Sequence, residues 1–386
     1  MKRRLRTVLL TATALFLSAC TTPAPRPDMA PAPAPTTSKP EPELPVRTVP
    51  ARPSTPVRID TWGDLRDRFA MNDCPAPAVR RARLETRNPA GFEARLHAAL
   101  PVIDYVSRVA AAKQVAGEFA LLPWVESHFR DVAPRRGRPA GMWQIMAITA
   151  RSLELPVNRG YDGRLDRIAS SDAALQLIAD YHAHWGDWRV ADMAYNTGEF
   201  RMRKLVKAHG MPKASPAIPQ LPVGRTTRQH LTRLLAIACI VRDPARFNVT
   251  LPKMDPQRRL KVVELDRPTR VSRVASASGM STQAFRELNP GYRLDTITTT
   301  TPMRVLLPAA AAQRLDNAIA GQALEDDDAL ASVDTSTRYT VASGDSLWSI
   351  ARRFDVRVEQ LRAWNDLDGS DLRPGQVLTL EPAPSG

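Results

Sequence analysis

Apolar residues recur at three- and four-residue spacings between about positions 61 and 241, which is typical of amphipathic helices. The stretch "LHAALPVIDYVSRV" carries one such stripe, formed by Leu96, Leu100, Ile103 and Val106. No convincing alternation of apolar and polar residues, the pattern of half-buried strands, appears in this region. The sequence therefore predicts an all-α globular domain over residues 58–250, with a helical extension at its N-terminal side.

Two further stretches of this region predict long helices. "SSDAALQLIADYHAHWGDW" is expected to begin at the capping residues Ser170 and Ser171 and to stop at Gly186. "RQHLTRLLAIACIV" predicts another helix, which its apolar content places in the core.

The pattern changes after Pro252, where two stretches share one plan at an offset of 76 residues. This offset superposes Val274 on Ile350, Ala275 on Ala351, Phe285 on Leu361 and Asn289 on Asn365. In the second copy "YTVASG" and "LRPGQVLTL" predict strands on either side of two short helices. We therefore expect two small α+β modules, at 257–310 and 338–382, joined by an acidic linker at 322–337.

The N-terminal 20 residues have the form of an export signal, with a basic start and an apolar run too short to span a bilayer. They end in "LSAC", which resembles a bacterial lipobox and implies acylation of Cys20. Ordinary signal cleavage, with an incidental cysteine, is the alternative. Residues 21–57 are rich in proline and predict a semi-rigid tether without a core.

Composition narrows the classes of partner and cofactor. The formal charge is +14, and a basic exported protein is attracted to anionic surfaces such as stem-peptide carboxylates or phosphate head groups. Nucleic acid is not expected as a partner, because the chain is predicted to be exported and carries no recognition motif. The six histidines are scattered and no metal-ligand or phosphate-loop spacing is present, so neither a metal nor a cofactor is expected.

Two cysteines, Cys74 and Cys239, remain besides Cys20. An oxidising compartment permits a disulfide between them. Cys239 lies in "LTRLLAIACI", where it is equally consistent with a small buried apolar residue.

The stretch "LLPWVESHF" places Glu126 in the middle of side chains that usually fill a core. Burial penalises the ionised form of a carboxyl group, so such a glutamate is expected to hold its proton at neutral pH and to act as an acid. The alternative is a glutamate exposed on the polar side of a short helix.

The C-terminal copy resembles a LysM domain through Tyr339, Gly344, Asp345, Leu347, Asn365, Pro374 and Gly375, among other residues. The resemblance implies binding of N-acetylglucosamine-containing glycans. The residues expected to form its groove are Gly344, Asp345, Ser346, Leu347 and Leu372. The first copy lacks the glycine–aspartate pair, and it is therefore interpreted as a degenerate LysM-like repeat.

The helical region resembles the lytic transglycosylases with a goose-type lysozyme fold, in the branch known as membrane-bound lytic murein transglycosylase D. The motifs that carry this resemblance are "VESHF", "AGMWQIM", "AYNTGE" and "YDGRLDRIASSDAA". It implies that Glu126 is catalytic. It further implies substrate contacts from Ser127, Gly141, Gln144, Tyr195 and Asn196. Where this branch usually has a serine, this chain has Arg135, in a basic stretch interpreted as a solvated loop.

The family chemistry implies cleavage of the MurNAc-β-1,4-GlcNAc bond of peptidoglycan without water, which leaves 1,6-anhydro ends. One carboxyl group acts first as acid and then as base. Two alternatives remain: a hydrolytic lysozyme on the same fold and a non-catalytic wall-binding scaffold. The lipobox, with Thr21 rather than aspartate after Cys20, implies a lipid anchor at the periplasmic face of the outer membrane.

Overall fold

The computed structural model describes residues 59–135, 137–321, 338–354 and 356–380. The predicted export signal, Cys20, the tether and the acidic linker at 322–337 lie outside the described residues. No helix within the described ranges is long and apolar enough to cross a membrane.

The N-terminal part of the described chain is helical and surrounds one hydrophobic core. Its α-helices are α1 (Thr61–Arg66), α2 (Ala76–Glu85), α3 (Pro89–Ala112), α4 (Leu122–Ser127), α5 (Ala147–Ser152), α6 (Arg167–Trp185), α7 (Trp188–Thr197), α8 (Glu199–His209) and α9 (Arg225–Arg242). A 3₁₀ turn at Gly117–Leu121 leads directly into α4.

Helix α3 buries the predicted stripe of Leu96, Leu100, Ile103 and Val106. Its N-terminus is capped by the Asn88 side chain, which accepts a hydrogen bond from Gly91 N at 3.0 Å. The stripe and the cap are both local features of the sequence, which is why the helix could be predicted.

The start of α6 differs from the prediction. Asp166, rather than Ser170 or Ser171, caps the helix and accepts hydrogen bonds from Ile168 N at 2.7 Å and Ala169 N at 2.9 Å. The two serines lie in the first turns and are fully buried. The helix ends, as predicted, before Gly186, which has a left-handed backbone conformation with φ of 66°.

A disulfide joins Cys74, just before α2, to Cys239 near the end of α9, with the two Cα atoms 5.8 Å apart. Cys239 is also fully buried, so it has both of the properties considered from the sequence. The bridge fixes α2 against α9, the helix that also carries His230 towards its N-terminal end.

The first LysM-like module is more elaborate than the predicted strand–helix–helix–strand plan. It contains β1 (Leu260–Glu264), β2 (Thr269–Arg270), α10 (Val271–Ala277), α11 (Thr282–Leu288), β3 (Thr296–Ile297), β4 (Arg304–Pro308) and α12 (Ala309–Ala320). Strand β1 pairs antiparallel with β4, and β2 pairs antiparallel with β3. Helix α12 extends beyond the predicted end at residue 310, because Ala311, Ala312 and Leu315 fill the core of the module.

The C-terminal module has the predicted βααβ order: β5 (Arg338–Thr340), α13 (Leu347–Arg353), α14 (Val358–Ala363) and β6 (Val377–Thr379). Strands β5 and β6 pair antiparallel. Asn289 and Asn365, superposed by the 76-residue offset, make equivalent contacts, since each amide bonds to the backbone of the closing strand of its module. The predicted fold class, a helical domain followed by two α+β modules, is confirmed.

The "YDGRLDRI" motif connects the helical domain to the first module. Asp162 N donates to Gly291 O at 2.9 Å, and Arg293 N donates to Gly160 O at 2.9 Å. The fully buried Asp162 carboxylate accepts hydrogen bonds from Arg164 and from Arg293, each at 2.7 Å from Oδ2. The first module is therefore packed against the helical domain through a buried ion network.

Candidate active site

Helix α4 is six residues long and carries Glu126 in its last turn. Trp124, Val125 and Ser127 are buried, whereas 16% of the Glu126 side chain is exposed. The chain reverses immediately afterwards, because His128 and Phe129 both adopt left-handed backbone conformations. Such conformations are unfavourable for residues other than glycine and occur often at functional sites. Glu126 thus reaches the surface from an otherwise buried helix.

The carboxyl group of Glu126 is held by His230 of α9. His230 Nε2 lies 2.8 Å from Glu126 Oε1, and its other ring nitrogen, Nδ1, lies 3.1 Å from Oδ2 of Asp192 on α7. His230 is 5% exposed and Asp192 is completely buried. Three helices therefore contribute one continuous hydrogen-bonded row of acidic and imidazole side chains.

The imidazole of His230 is held in its charged form. Burial by itself lowers the pKa of His230, but the charge and hydrogen bond of Asp192, together with those of Glu126, raise it to about 10. The apolar pocket expected around Glu126 therefore also contains one charged group. Its neighbours in sequence are apolar, but its nearest polar partner is an imidazolium.

Helix α7 brings Tyr195 and Asn196 to the same region. Tyr195 OH donates to Trp143 O at 2.7 Å, and both burial and the charge of Glu126 raise the pKa of Tyr195. Asn196 Oδ1 accepts a hydrogen bond from Thr227 Oγ1 at 2.8 Å, which ties the end of α7 to the start of α9. Tyr195 thus lies within electrostatic reach of Glu126, while Asn196 fixes the helix that presents it.

The loop at residues 140–145 passes beside α4 and contains two of the predicted site residues. Gly141 has φ of 73°, and a Cβ atom at this position would lie 1.9 Å from the Arg164 carbonyl oxygen, so only glycine fits. Gln144 is half-buried, with φ of 51°, and its Nε2 donates to Gly141 O at 2.7 Å. Gly141 therefore shapes the loop through its backbone, and its expected contact with the substrate stays a prediction.

Ser127 has a supporting position, and its expected contact with the substrate stays a prediction. It is buried, and its Oγ donates to Met142 O at 2.9 Å, which attaches α4 to the 140–145 loop. Trp143 is also fully buried, and its Nε1 donates to Ser171 Oγ at 3.1 Å. Both side chains hold the frame around Glu126.

The basic loop after α4 is solvated where it is described. Arg135 and Arg138 are exposed, in agreement with the interpretation given above, and Arg136 lies outside the described residues. Arg138 N donates to Arg135 O at 3.0 Å, which closes a turn.

Three other carboxylates that could act with Glu126 are occupied elsewhere. Asp131 forms an ion pair with Arg167 at 2.5 Å. Asp162 belongs to the buried network between domains, and Asp166 caps α6 and accepts from Tyr161 OH at 2.5 Å. Each of the three carboxylates therefore has at least one oxygen bound by another residue.

The predicted glycan-binding residues of the C-terminal module divide into two groups. Gly344 and Ser346 are exposed, and Gly344 has φ of 87°. Leu347 is buried in the core of the module, and Leu372 is partly buried against it. Asp345 is mostly used internally, because its carboxylate accepts from Ala342 N at 2.9 Å and from Tyr339 OH. The Leu347 side chain therefore faces the core and the Asp345 side chain is 9% exposed, while their contacts with a glycan stay predictions.

Trp348 and His230 are not among the site residues predicted from the sequence. Trp348 of α13 is 62% exposed and lies under the guanidinium of Arg352. His230 lies 104 positions from Glu126 in the chain, so no local motif connects the two residues. The sequence does contain a pattern that indicates a buried histidine, because Thr227, His230, Leu231 and Leu234 share one face of α9, and that face is buried. A histidine on such a face needs a polar partner.

No group of three or more His, Cys, Asp or Glu residues suited to a metal ion occurs in the part of the chain that the structure describes.

Three family models match this chain. The Transglycosylase SLT domain matches residues 107–218, the LysM-like domain of lytic transglycosylase MltD matches residues 259–322, and the LysM domain matches residues 339–381. The first match contains Glu126 and Tyr195, whereas His230 lies beyond its end.

Individual proteins with similar sequences match the same parts of the chain as the family models. Membrane-bound lytic murein transglycosylase D of Escherichia coli K12 is 32% identical over 327 residues, which cover 83% of this chain and 72% of the relative. An autolysin of Enterococcus faecalis is 44% identical over 52 residues, or 14% of this chain and 7% of the relative. N-acetylmuramoyl-L-alanine amidase sle1 of Staphylococcus saprophyticus is 43% identical over 47 residues, or 12% of this chain and 14% of the relative. The long match across most of both proteins means that this chain belongs to the family of membrane-bound lytic murein transglycosylase D.

Proposed function

We propose that this lytic transglycosylase cleaves the MurNAc-β-1,4-GlcNAc bond of peptidoglycan without consuming water and leaves 1,6-anhydro-MurNAc ends. The observation that carries the proposal is the position of Glu126, which is partly exposed at the end of a buried helix and held at one oxygen. The name of the E. coli relative, a murein transglycosylase, supports the same substrate.

Glu126 performs both proton transfers of the proposed reaction. Its carboxyl group first gives a proton to the bridging oxygen, as positive charge develops at C1 of the muramyl sugar. The resulting carboxylate then removes the proton of the 6-hydroxyl of the same sugar, whose oxygen attacks C1. The acetamido group of the substrate stabilises the cationic centre, so a second protein carboxylate is unnecessary.

The occupied state of Asp131, Asp162 and Asp166 favours this one-carboxylate route. A two-carboxylate glycosidase needs its second group free and about 5–9 Å from the first. These three groups are held by arginines, by a tyrosine or by a helix N-terminus. Tyr195, which donates to Trp143 O, and Gln144, which donates to Gly141 O, are proposed to contact the sugar. Asn196, Ser127 and Gly141 are proposed to hold the elements around them in place.

The C-terminal module is proposed to hold the enzyme on the glycan, with the exposed Gly344–Ser346 turn and Leu372 at its groove. The first module is proposed to be structural, because its helices and sheets are packed on the catalytic domain. Acylation at Cys20 would attach the protein to the periplasmic face of the outer membrane, and the membrane-bound E. coli relative supports attachment to a membrane.

Product analysis tests the proposed reaction. Purified sacculi are digested with the wild type, Glu126→Gln and Glu287→Gln, a matched control at an exposed glutamate of the first module. We expect anhydro-muropeptides from the wild type and the control, and none from Glu126→Gln. Reducing ends in place of anhydro ends would indicate a hydrolytic lysozyme. Sacculus binding without any release of muropeptides would indicate a scaffold.

A further inference from the structure

The row formed by Asp192, His230 and Glu126 has a part that the proposed reaction does not use. Glu126 carries out the chemistry, but it is only the outer end of this row. Behind it lie an imidazole that is 5% exposed and a carboxylate that is completely buried. Two buried ionisable groups that support a partly exposed acid require an explanation beyond packing.

Burial of Asp192 fixes the charge of the imidazole. An ionised carboxylate without access to water is very costly unless a cation compensates for it. His230 provides that cation, with Nδ1 at 3.0 Å from Oδ1 and 3.1 Å from Oδ2. Its Nε2–H then donates to Glu126 Oε1. Apolar residues of similar volume would pack the same space at lower cost, so stability alone does not account for the pair.

We propose that His230, held by Asp192, is a positioning residue for the glycosidic cleavage: it fixes Glu126 through Oε1, leaves Oε2 for the substrate, and stabilises the carboxylate that exists between the two proton transfers. This inference rests on the proposed function, because it assigns Glu126 the role of acid and base.

The proton balance shows where the imidazolium acts. The Oε2–H bond of Glu126 breaks and the proton goes to the bridging oxygen, which leaves with the electron pair of the C1–O bond. Glu126 is then a carboxylate beside the imidazolium, a charge-assisted hydrogen bond. The proton of the 6-hydroxyl next moves to Oε2 while the 6-oxygen bonds to C1. One proton leaves and one returns, so Asp192 and His230 end in their starting states.

The remaining charged groups near this row lie on several packed elements. Tyr195 of α7 and Arg233 of α9 interact electrostatically with Glu126, and Arg81 and Glu85 of α2 interact with Arg233. His128, after α4, also interacts electrostatically with Glu85 and Arg233. Glu118 of the 3₁₀ turn instead accepts hydrogen bonds from the backbone of Ala70 and Met71. A substitution that removes only the imidazolium charge leaves all of these in place.

The effect of pH follows from the charge of His230. The imidazolium is present below the pKa of His230, about 10, and is lost as the pH rises towards that value. His230→Gln keeps an N–H donor but removes the charge. Asp192→Asn keeps the imidazole but removes the anion that holds it protonated. The fall of kcat that follows loss of the imidazolium charge should therefore be absent in His230→Gln and should occur at lower pH in Asp192→Asn.

The test measures kcat, KM and their pH profiles on sacculi or soluble glycan chains for the wild type, these two variants and His209→Gln, a control at the exposed end of α8. We expect kcat to fall roughly 10- to 100-fold in His230→Gln, the effect of one charged hydrogen bond, with KM nearly constant. The fall of kcat towards pH 10 should be absent in His230→Gln and should move to lower pH in Asp192→Asn. His209→Gln should match the wild type.

Two results separate failure of this inference from failure of the proposed function. Full activity of Glu126→Gln would overturn the proposed function itself. If Glu126→Gln is inactive but His230→Gln has the kcat and the pH profile of the wild type, only the role of His230 is overturned. If His230→Gln does not fold, ¹⁵N-histidine NMR of the wild type decides: an imidazolium at pH 8 supports the inference, and a neutral ring overturns it.

Discussion

Asp162 and Arg293, 131 positions apart in the chain, form a buried ion pair with 2.7 Å between Oδ2 and Nη2. The pair joins the catalytic domain to the first LysM-like module. Arg164 binds the same carboxylate, and its carbonyl oxygen lies against Gly141 in the loop beside Glu126. Through Arg164, the contact between the two domains is thus linked to the loop that lies beside Glu126.

Replacement of Arg293 by alanine should destabilise the protein. It leaves the buried Asp162 carboxylate with Arg164 as its remaining arginine partner, and loss of one member of a buried pair costs roughly 3 kcal/mol in the free energy of unfolding. Thermal and urea unfolding measure this change. Arg201→Ala, at an exposed position of α8, should change stability by less than about 0.5 kcal/mol. Equal effects of the two substitutions would contradict the importance of the pair.

Loss of Trp348 should weaken attachment to the wall without slowing the chemistry. A 62% exposed tryptophan provides a flat apolar face suited to a sugar ring, and its removal should reduce sacculus binding about tenfold. Co-sedimentation with sacculi measures binding, and short soluble glycans measure kcat. Val377→Ala, at another exposed apolar residue of the same module, is the control. Unchanged binding by Trp348→Ala would remove this residue from the glycan-facing surface.

The disulfide should contribute to stability rather than to catalysis. Cys74 and Cys239 are 165 positions apart, and closing such a loop typically adds roughly 2–5 kcal/mol to the free energy of unfolding. The double variant Cys74→Ser, Cys239→Ala should unfold at lower urea concentration and retain its kcat at 25 °C. Dithiothreitol should lower the stability of the wild type but not that of the variant. A wild type insensitive to reduction would contradict the prediction.

Stability should depend on pH through His230. Its pKa rises from 6.5 to about 10 on folding, so the folded state binds the proton more tightly than the unfolded state does. The associated stabilisation is complete below about pH 6.5 and is lost as pH rises towards 10. Urea unfolding between pH 6 and 10 should therefore show a declining free energy of unfolding in the wild type. The decline should be smaller in His230→Gln and unchanged in His209→Gln.

Elements coded by neighbouring residues could be predicted from the sequence. The stripe of α3, the Gly186 end of α6 and the equivalence of Asn289 with Asn365 all rest on local spacing or on a repeat. Helix α6 begins one turn earlier than predicted, because the carboxylate of Asp166, which precedes Ser170 in the chain, caps its N-terminus. Local patterns thus predict whether an element is a helix or a strand more accurately than they predict the residue at which it begins.

The contacts that complete the site depend on how distant elements pack. Glu126 is conspicuous among its apolar neighbours, but the approach of His230 requires α9 to cross the end of α4, and Asp192 must arrive on α7. The internal use of Asp345 and the burial of Ser127 depend in the same way on partners elsewhere. A motif identifies residue types, whereas burial and hydrogen bonds decide which of them can reach a ligand.

The buried attachment of the first module also changes what counts as the catalytic unit. A protein shortened to the 107–218 match would lose α9 with His230, and one ending before residue 259 would leave Asp162 without Arg293. The smallest autonomous enzyme is therefore expected to extend through α12, so that a wall-binding motif has become, in this chain, a part of the scaffold for bond cleavage.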